Sequence, residues 1–450
     1  MRMANRRMKN AAKFVEDLEF SRLGESTVHQ TKRCVLDFMG AILGGAKTRA
    51  GEISLKVARD FEGLEEATIL PTSDRVSCQF ASFVHGTMGS ALDIDDGHRL
   101  AVGHPGGVVI PAALAVAENI NSTGKEFLEA VVCGYEVAIR AGQVLRSKFP
   151  LPISMGSGRW GSVGAAAAVA KLLRLNLERT KQALAISATF APVAPVTDDL
   201  KKRGFIPMTK FSSGWGALVG ICSAQLAKGG FTGISSAIDL SSSSLPHFEE
   251  YYEIENVYFK PYPSCRWTHA AIEGTIHLMR EHGNLKKETI RSIQVRTFSR
   301  AADLNEPRPP TMESASYSIP FLVGAAVVDG EVGIDQITEE RLSDSDVLNV
   351  ADKVRIVCTP EFDRCFPGMI ASEVEIETVS GLRYKTRVTR PKGDPQNPLS
   401  DKELVDKFKR LAKESISPET AKRVIGAVEI LERQSSMACF TSTFQKGGMC

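Results

Sequence analysis

Runs of small and apolar residues with helical spacing dominate roughly the first 230 residues, and they constrain the fold more than any other feature. Residues 164–173 read Gly-Ala-Ala-Ala-Ala-Val-Ala-Lys-Leu-Leu, which is rich in the strongest helix former. Residues 213–229 have the same character, and residues 26–43 end at a Gly-Gly pair that is typical of a helix stop. Because Ala and Gly let neighbouring helices approach closely, the sequence predicts a compact all-helical domain.

The pattern changes near residue 240, where a short serine run at residues 241–244 precedes Pro246 and indicates a loop or boundary. Alternation of apolar and polar residues then predicts strands at residues 293–297 and 353–358. Two further alternating segments, residues 373–378 and 383–388, flank Ser-Gly and predict a β-hairpin.

Helix signals return near the C-terminus. Ser400-Asp-Lys-Glu403 is a capping box, and Pro418 follows Ser417 at a first helical position. We therefore predict a mainly α fold, in which a large all-helical domain comprises residues 1–257 and 395–450. A smaller α+β lid domain occupies residues 258–394.

Charge and cysteine usage narrow the class of protein. The chain has 450 residues with 55 Lys plus Arg and 53 Asp plus Glu, so its net charge of +2 gives no support for a nucleic-acid or membrane partner. It has no uninterrupted apolar run of about 18 residues and no apolar segment after its basic N-terminus, so we expect no membrane span and no secretory signal. Nine scattered cysteines without a C-x-x-C pair predict reduced thiols and a cytoplasmic location.

The segment with the most chemistry is residues 91–107, which reads Ala-Leu-Asp-Ile-Asp-Asp-Gly-His-Arg-Leu-Ala-Val-Gly-His-Pro-Gly-Gly. Its three carboxylates and two imidazoles lie between two apolar helices, which favours a functional site over a solvated turn. A carboxylate that orients or tunes a histidine for acid–base work is one interpretation, and a metal site is the other. The metal is the weaker alternative because no further ligands occur at the usual spacing.

Three other segments carry candidate residues. Residues 156–161 match G-x-G-x-x-G, but no strand precedes them, so the motif favours a glycine-rich helix start over a cofactor loop. Arg159 in this motif could hold a substrate carboxylate at the helix N-terminus. Lys210 precedes a helix and, taken alone, is typical of an exposed lysine. Residues 259–269 combine two prolines with Lys, Cys, Arg and His; they suit anion binding, whereas the alternative is an ordinary interdomain loop.

Several of these motifs, in this order, resemble the MmgE/PrpD family over roughly residues 10–435. They are Leu-Asp-Ile-Asp-Asp at residues 92–96, His-Pro-Gly-Gly at 104–107, Lys210, and Lys-Pro-Tyr-Pro at 260–263. The resemblance implies a helical domain with an α+β lid, a homodimer, a pocket between the two domains, and no metal or organic cofactor.

The resemblance also assigns roles residue by residue. Asp93, His104, Lys210 and Lys260 match the family's catalytic positions, and His269 matches a histidine that begins the helix after the lid entry. His98 has no matched role. The chain departs from the decarboxylase pattern at four positions: Gly97, Met155, Cys265 and Phe321.

The function implied is a cofactor-independent lyase of the dehydratase type, acting on a small di- or tricarboxylic acid by α-proton abstraction. Lysine and histidine cations would stabilise the carbanion, and Asp93 would orient His104. The candidate substrate-binding residues are Arg159, Cys265, Arg266 and His269. Epimerisation or decarboxylation of a related acid remains open, and so does a catalytically lapsed dimeric binding protein.

Overall fold

The computed structural model describes residues 11–450, except for residues 62, 150–155, 197–199, 201–203, 235–247, 249–250, 284, 446 and 448–450. The serine run at residues 241–244 and the substituted position Met155 therefore lie outside the described residues. The protein is mainly α-helical with a smaller α+β region, as the sequence predicted.

The N-terminal part consists of long helices joined by short loops. After a helical stretch at residues 11–17, they are α1 (Glu25–Gly45), α2 (Arg49–Asp60), α3 (Cys78–Ala91), α4 (Gly106–Asn119), α5 (Gly124–Lys148), α6 (Ser157–Leu172), α7 (Leu177–Phe190) and α8 (Ser213–Gly229). Its short strands form two antiparallel pairs, β1 (Ala67–Thr68) with β2 (Arg75–Val76), and β3 (Gly97–His98) with β4 (Val257–Tyr258).

Small residues let these helices pack closely, as expected. A Cβ atom on Gly164 in α6 would lie 2.4 Å from the carbonyl oxygen of Gly134 in α5, so the two backbones touch there. Helix α5 begins with the predicted capping box, in which Thr123 and Glu126 satisfy each other's backbone N–H groups.

The α+β region is built on a four-stranded sheet with the strand order β6-β5-β7-β8. Strands β5 and β6 are parallel, and the other pairs, including the predicted hairpin, are antiparallel. The strands are β5 (Ile290–Thr297), β6 (Val354–Cys358), β7 (Ser372–Thr378) and β8 (Arg383–Val388). The helices of this region are α9 (His269–Glu281), α10 (Ser299–Ala302), α11 (Met312–Ala315), α12 (Ile319–Asp329), α13 (Ser345–Ala351) and α14 (Pro360–Cys365).

The last helices return to the N-terminal part. They are α15 (Asp401–Ala412), α16 (Pro418–Glu429) and α17 (Met437–Ser442). Helices α15 and α16 pack on α1, and α17 packs on α4, so that Leu404, Phe408 and Leu411 belong to the same buried core as the N-terminal helices. This packing supports our proposal that residues 1–257 and 395–450 form one domain and residues 258–394 form the lid.

The expectation that all cysteines are reduced thiols is wrong at one position. Cys439 is disulfide-bonded, whereas the other cysteines within the described residues are free thiols. Among the described residues, no helix combines the length and the apolar character needed to cross a bilayer.

Candidate functional site

The loop between α3 and α4, residues 92–105, forms one wall of the candidate site. Its short strand β3 pairs with β4, so that Gly97 lies opposite Tyr258 and the loop is joined to the chain segment that enters the lid. Asp93 and Val102 have φ angles of 51° and 55°, in the left-handed region that side chains other than glycine rarely adopt. Such strain persists only where surrounding structure enforces it, and it clusters at functional sites.

A buried ion pair connects this loop to the lid entry. The ammonium of Lys260 donates a hydrogen bond to Asp93 Oδ1, and both side chains are fully buried. Burial opposes ionisation of Asp93, but the charges of Lys260 and His104 hold the pKa of this carboxyl well below its usual range. Asp93 is therefore a carboxylate that links two cationic side chains.

The imidazole of His104 lies between two carboxylates. Its Nε2 is 3.5 Å from Asp93 Oδ1, and its Nδ1 is 3.4 Å from Asp95 Oδ1. Nδ1 also donates a hydrogen bond of 2.8 Å to the backbone carbonyl of Asp96. Burial and the Lys260 charge lower the pKa of His104, but the two carboxylates outweigh them and raise it above its ordinary value. The site thus favours the imidazolium form of His104.

The third carboxylate of the loop has a structural role. Asp96 accepts hydrogen bonds from the Tyr135 hydroxyl, at 2.6 Å, and from the backbone N–H of Gly106, at 3.0 Å. It thereby caps the N-terminus of α4 directly after His104, and its own backbone carbonyl accepts the hydrogen bond from His104 Nδ1. Asp95, in contrast, is fully buried, and neither of its carboxylate oxygens has a hydrogen-bond partner within the described residues.

Lys210 is the second buried lysine, although its local sequence taken alone is typical of an exposed one. It is 1% exposed, has a φ of 37°, and donates a hydrogen bond of 2.7 Å to the backbone carbonyl of Ala91. Burial lowers the pKa of Lys210, although the nearby Asp93 carboxylate partly opposes this. A lysine in this environment loses its proton more easily than one in water.

A further buried lysine supports the loop from behind. Lys407 in α15 donates hydrogen bonds to Asp37 Oδ1 in α1, at 2.5 Å, and to the backbone carbonyl of Ile94, at 2.7 Å. A C-terminal helix therefore helps to fix the loop that carries Asp93 and Asp95.

A cavity of about 40 Å³ lies between this loop and the lid. Three predicted site residues line it: His104, Cys265 and Arg266. Sequence reasoning did not select four further polar residues of its wall: His98, Arg99, Tyr258 and Tyr317. Phe211, next to Lys210, stacks near the His104 ring, with the ring centroids 4.7 Å apart.

Two of the missed residues hold the loop in place. His98 Nε2 is 3.3 Å from Glu253 Oε2, so His98 is a paired, buried residue of the wall. Arg99 crosses to the lid, where it donates to the carbonyl of Gly368 and pairs with Asp394 Oδ2 at 3.0 Å. The sequence signal for Arg99 was its charge within a loop that is rich in motifs. Its partners could not be predicted from the sequence, because they lie far along the chain.

Arg266 and His269 are held by the lid itself. The guanidinium of Arg266 donates to the carbonyls of Pro391 and Lys392 and to Asp394 Oδ1, at 2.7–2.9 Å. It also lies 3.0 Å from Nδ1 of His269, whose pKa is well below its ordinary value, chiefly because of burial and then because of the Arg266 charge. A role of either residue in substrate binding stays a prediction.

Arg159 does not line the cavity. It is half-buried on the first turn of α6, and its guanidinium lies over the Phe149 ring at 5.4 Å from the centroid. The glycine motif around it serves helix packing: a Cβ atom on Gly158 would lie 2.4 Å from the Ser212 carbonyl oxygen, and one on Gly161 would lie 2.8 Å from Val108. The preference for a glycine-rich helix start agrees with this packing.

The cluster also bears on the metal question. Within the described residues, ligand atoms of Asp93, Asp95 and His104 lie within 4.8 Å of one another, so the sequence argument that further ligands were missing was incomplete. Asp93 already receives the Lys260 ammonium, and His104 Nδ1 already donates to a backbone carbonyl. These contacts favour an ammonium over a metal ion at this position, and the absence of a metal stays a prediction.

Comparison with known proteins identifies the family. The family model of the MmgE/PrpD N-terminal domain matches residues 9–253, and that of the MmgE/PrpD C-terminal domain matches residues 262–433. The chain belongs to the MmgE/PrpD family.

Similar members of the MmgE/PrpD family include proteins named as decarboxylases. The cis-aconitate decarboxylase-like protein oryM of Aspergillus oryzae is 26% identical, with 94% of this chain and 94% of that protein aligned. The human cis-aconitate decarboxylase is also 26% identical, over 96% of this chain and 93% of that protein. A cis-aconitate decarboxylase of Aspergillus terreus is 22% identical, over 90% and 89%.

Three positions at which the chain departs from the decarboxylase pattern of the MmgE/PrpD family can be located. Gly97 leaves space that the Tyr258 ring fills, since a Cβ atom there would lie 2.3 Å from that ring. Cys265 lines the cavity, and burial together with the Asp93 charge raises the pKa of its thiol to about 12, so it is a neutral group. Phe321 is fully buried in an apolar cluster of the lid.

Proposed function

We propose that this member of the MmgE/PrpD family is a lyase that acts on a small di- or tricarboxylic acid. The reaction would proceed through a carbanion next to a carboxylate. The observation that carries this proposal is the buried arrangement of His104 between Asp93 and Asp95, with Lys260 on Asp93 and the cavity beside it. Preorganised cations in a site that excludes water stabilise developing negative charge far better than they do in water.

We infer that one residue acts as the base and another as the acid in this reaction. Lys210, which is buried near Asp93 behind the cavity wall and whose pKa is lowered by burial, is the candidate base, and its amine would leave the Ala91 carbonyl to reach the α-proton. His104, whose pKa is raised by its carboxylates, is the candidate acid. Asp93 and Asp95 keep that imidazole charged and oriented, and Lys260 neutralises Asp93 so that the site is not strongly anionic.

For the dehydratase-type reaction, the C–H bond next to a carboxylate breaks and its proton passes to the Lys210 amine. The bond between the neighbouring carbon and its hydroxyl then breaks, and the hydroxyl takes the His104 proton and leaves as water. The electron pair of the former C–H bond forms the carbon–carbon double bond. No oxidant, reductant or cofactor is needed for this balance.

Decarboxylation is the second candidate, and the printed names of the relatives favour it. In that case the bond to a carboxylate carbon breaks, carbon dioxide leaves, and the His104 proton passes to the carbanion. The substituted positions Gly97, Cys265 and Phe321 count against cis-aconitate decarboxylation, but they do not by themselves favour dehydration. Epimerisation would share the α-proton removal and return a proton to the opposite face.

Substrate entry would require movement of the lid. The cavity of about 40 Å³ is only a few times the roughly 10–15 Å³ that one buried water needs, so a polycarboxylate enters only when the lid opens. On closure, Cys265 and Arg266 would approach the acid from the lid. Arg159 and His269 remain candidates for more distant carboxylate contacts, as the family resemblance implies.

The test is a panel of citrate-, aconitate-, malate- and aspartate-like acids incubated with the protein in deuterated water. Dehydration gives a new conjugated double bond in the absorbance, decarboxylation releases carbon dioxide, and epimerisation incorporates deuterium without net consumption. His104→Gln should abolish whichever signal appears, and His277→Gln on the surface of α9 should not.

Two outcomes would count against the proposal. An acid that raises the melting temperature but shows neither turnover nor deuterium incorporation would favour the lapsed binding protein. A panel in which no acid is bound or converted would refute a polycarboxylate site altogether.

The family resemblance also implies a homodimer, which we retain as a proposal. An exposed apolar surface supports it: Trp215 is 53% exposed at the start of α8, with Ile53 at 47% and Met208 at 41% nearby along the same groove. Exposed aromatic and aliphatic side chains of this kind are common at subunit interfaces. Light scattering that returns the 48.8 kDa monomer at micromolar concentration would contradict it.

A further inference from the structure

The hydroxyl group of Tyr317 is an unpaired donor at the wall of the cavity. The side chain is 1% exposed and lines the cavity together with His104 and Cys265. Within the described residues the hydroxyl makes no hydrogen bond of normal geometry, although the Asp93 carboxylate, whose Oδ2 also has none, is close enough to act on it. Buried tyrosine hydroxyls normally find a partner, and groups that do not are commonly functional or bonded to something absent from the protein itself.

The position of Tyr317 is fixed by the backbone around it. Its N–H donates to the carbonyl of Ser314 at 3.0 Å, and the neighbouring Ser316 carbonyl accepts from the N–H of Cys265 at 2.8 Å. Its ring lies 6.4 Å from the ring of Phe211, which itself stacks near His104. The turn between α11 and α12 is thus tied to the lid entry, and its tyrosine faces the catalytic cluster.

The electrostatic surroundings keep this hydroxyl a donor. Burial, followed by the Asp93 carboxylate, raises the pKa of Tyr317 well above its ordinary value. A phenol in this state does not ionise at neutral pH, so it can donate a hydrogen bond and cannot act as an anion. Negative charge that develops on a substrate carboxylate or its enediolate is the acceptor that such a donor suits.

We propose that Tyr317 is a catalytic residue whose hydroxyl donates a hydrogen bond to the substrate where negative charge develops. The inference rests on the proposed lyase function and adds a residue on the lid side of the site. The decarboxylase pattern has hydroxyl-bearing side chains at two positions that are Gly97 and Phe321 in this chain. Tyr317 would supply a hydroxyl donor that these two positions lack. Lid closure would bring this donor to the acid and complete the site.

Tyr317→Phe tests the proposal, since it removes only the hydroxyl. We expect kcat to fall by about 10²–10³-fold, the usual effect of removing one donor to developing charge, with a much smaller change in KM. The deuterium incorporation rate should fall by the same factor. The melting temperature should stay the same or rise, because the variant no longer buries an unpaired hydroxyl. Tyr384→Phe in β8 is the matched control, since it makes the same change in the lid away from the cavity.

The outcomes separate this inference from the proposed function. If the wild-type protein converts an acid and Tyr317→Phe converts it equally fast, Tyr317 is a packing residue and only this inference is wrong. An equal loss of stability and activity would also overturn it, since a structural role explains both. If the wild-type protein neither binds nor converts any acid of the panel, the inference fails together with the proposed function.

Discussion

Breaking the Asp93–Lys260 pair should affect stability and activity at once. Lys260→Met leaves the fully buried Asp93 carboxylate without its ammonium partner. Removing one partner of a buried, hydrogen-bonded ion pair costs about 3–5 kcal/mol. At about 2.1 cal/mol/K of unfolding entropy per residue, a chain of 450 residues shifts by about 1 °C per kcal/mol, so the melting temperature should fall by about 3–5 °C. Activity should fall as well, because Lys260 no longer balances the charge of the cluster.

The double variant Asp93→Asn with Lys260→Met distinguishes the two effects. Asparagine tolerates the left-handed backbone at position 93, and the variant buries no unpaired charge. We expect scanning calorimetry to show that most of the lost melting temperature returns, while turnover remains abolished. Lys413→Met is the control, because its partner Asp335 is 68% exposed and such surface pairs contribute little. A single variant as stable as wild type, or a double variant no more stable than the single one, would refute this account.

Five further predictions concern the site and the assembly. His104→Gln should lower kcat by about 10²–10⁴-fold, whereas the exposed His277→Gln should not, as measured by initial rates. Folding raises the pKa of His104 above 6.5, so protonated His104 stabilises the folded protein fully below pH 6.5, and this contribution is lost as the pH rises through the raised pKa. The melting temperature of wild type should therefore fall more with rising pH than that of His104→Gln. Gly97→Thr should lower the melting temperature because its Cβ would lie 2.3 Å from the Tyr258 ring, and adding Tyr258→Ala should restore part of the loss. Trp215→Glu should convert the proposed dimer to a monomer, as measured by light scattering. A chelator should leave turnover unchanged, because the proposed reaction uses no metal ion.

Local signals in the sequence predicted the elements but not the contacts between them. The hairpin around Gly381 followed from alternation and from a turn glycine with a φ of 86°, both of which are properties of neighbouring residues. The capping boxes at Thr123 and Ser400 were local in the same sense. Each of these elements forms where the sequence placed it because few distant residues are needed to define it.

The site depended on contacts that no local pattern encodes. Lys210 had the sequence context of an exposed lysine, but the packing of the loop before α8 buries it against Ala91. Asp93 contacts Lys260 across 167 positions, and Tyr317 reaches the cavity from the turn between α11 and α12. The family resemblance predicted Asp93, Lys210 and Lys260 as site residues. It could not predict Tyr317, because Tyr317 lies outside the motifs that carry the resemblance.

The bond between Lys407 and the loop carrying Asp93 has a consequence for the order in which this protein is made. During synthesis the N-terminal helices emerge first, yet their core lacks Leu404 and Phe408, and their loop lacks Lys407, until α15 has been translated. The sheet of the lid is complete by then, so it can form while the earlier helices still wait for their last partners. Nascent chains therefore expose apolar helical surface until α15 has been made, which is the kind of surface that promotes aggregation before folding is complete.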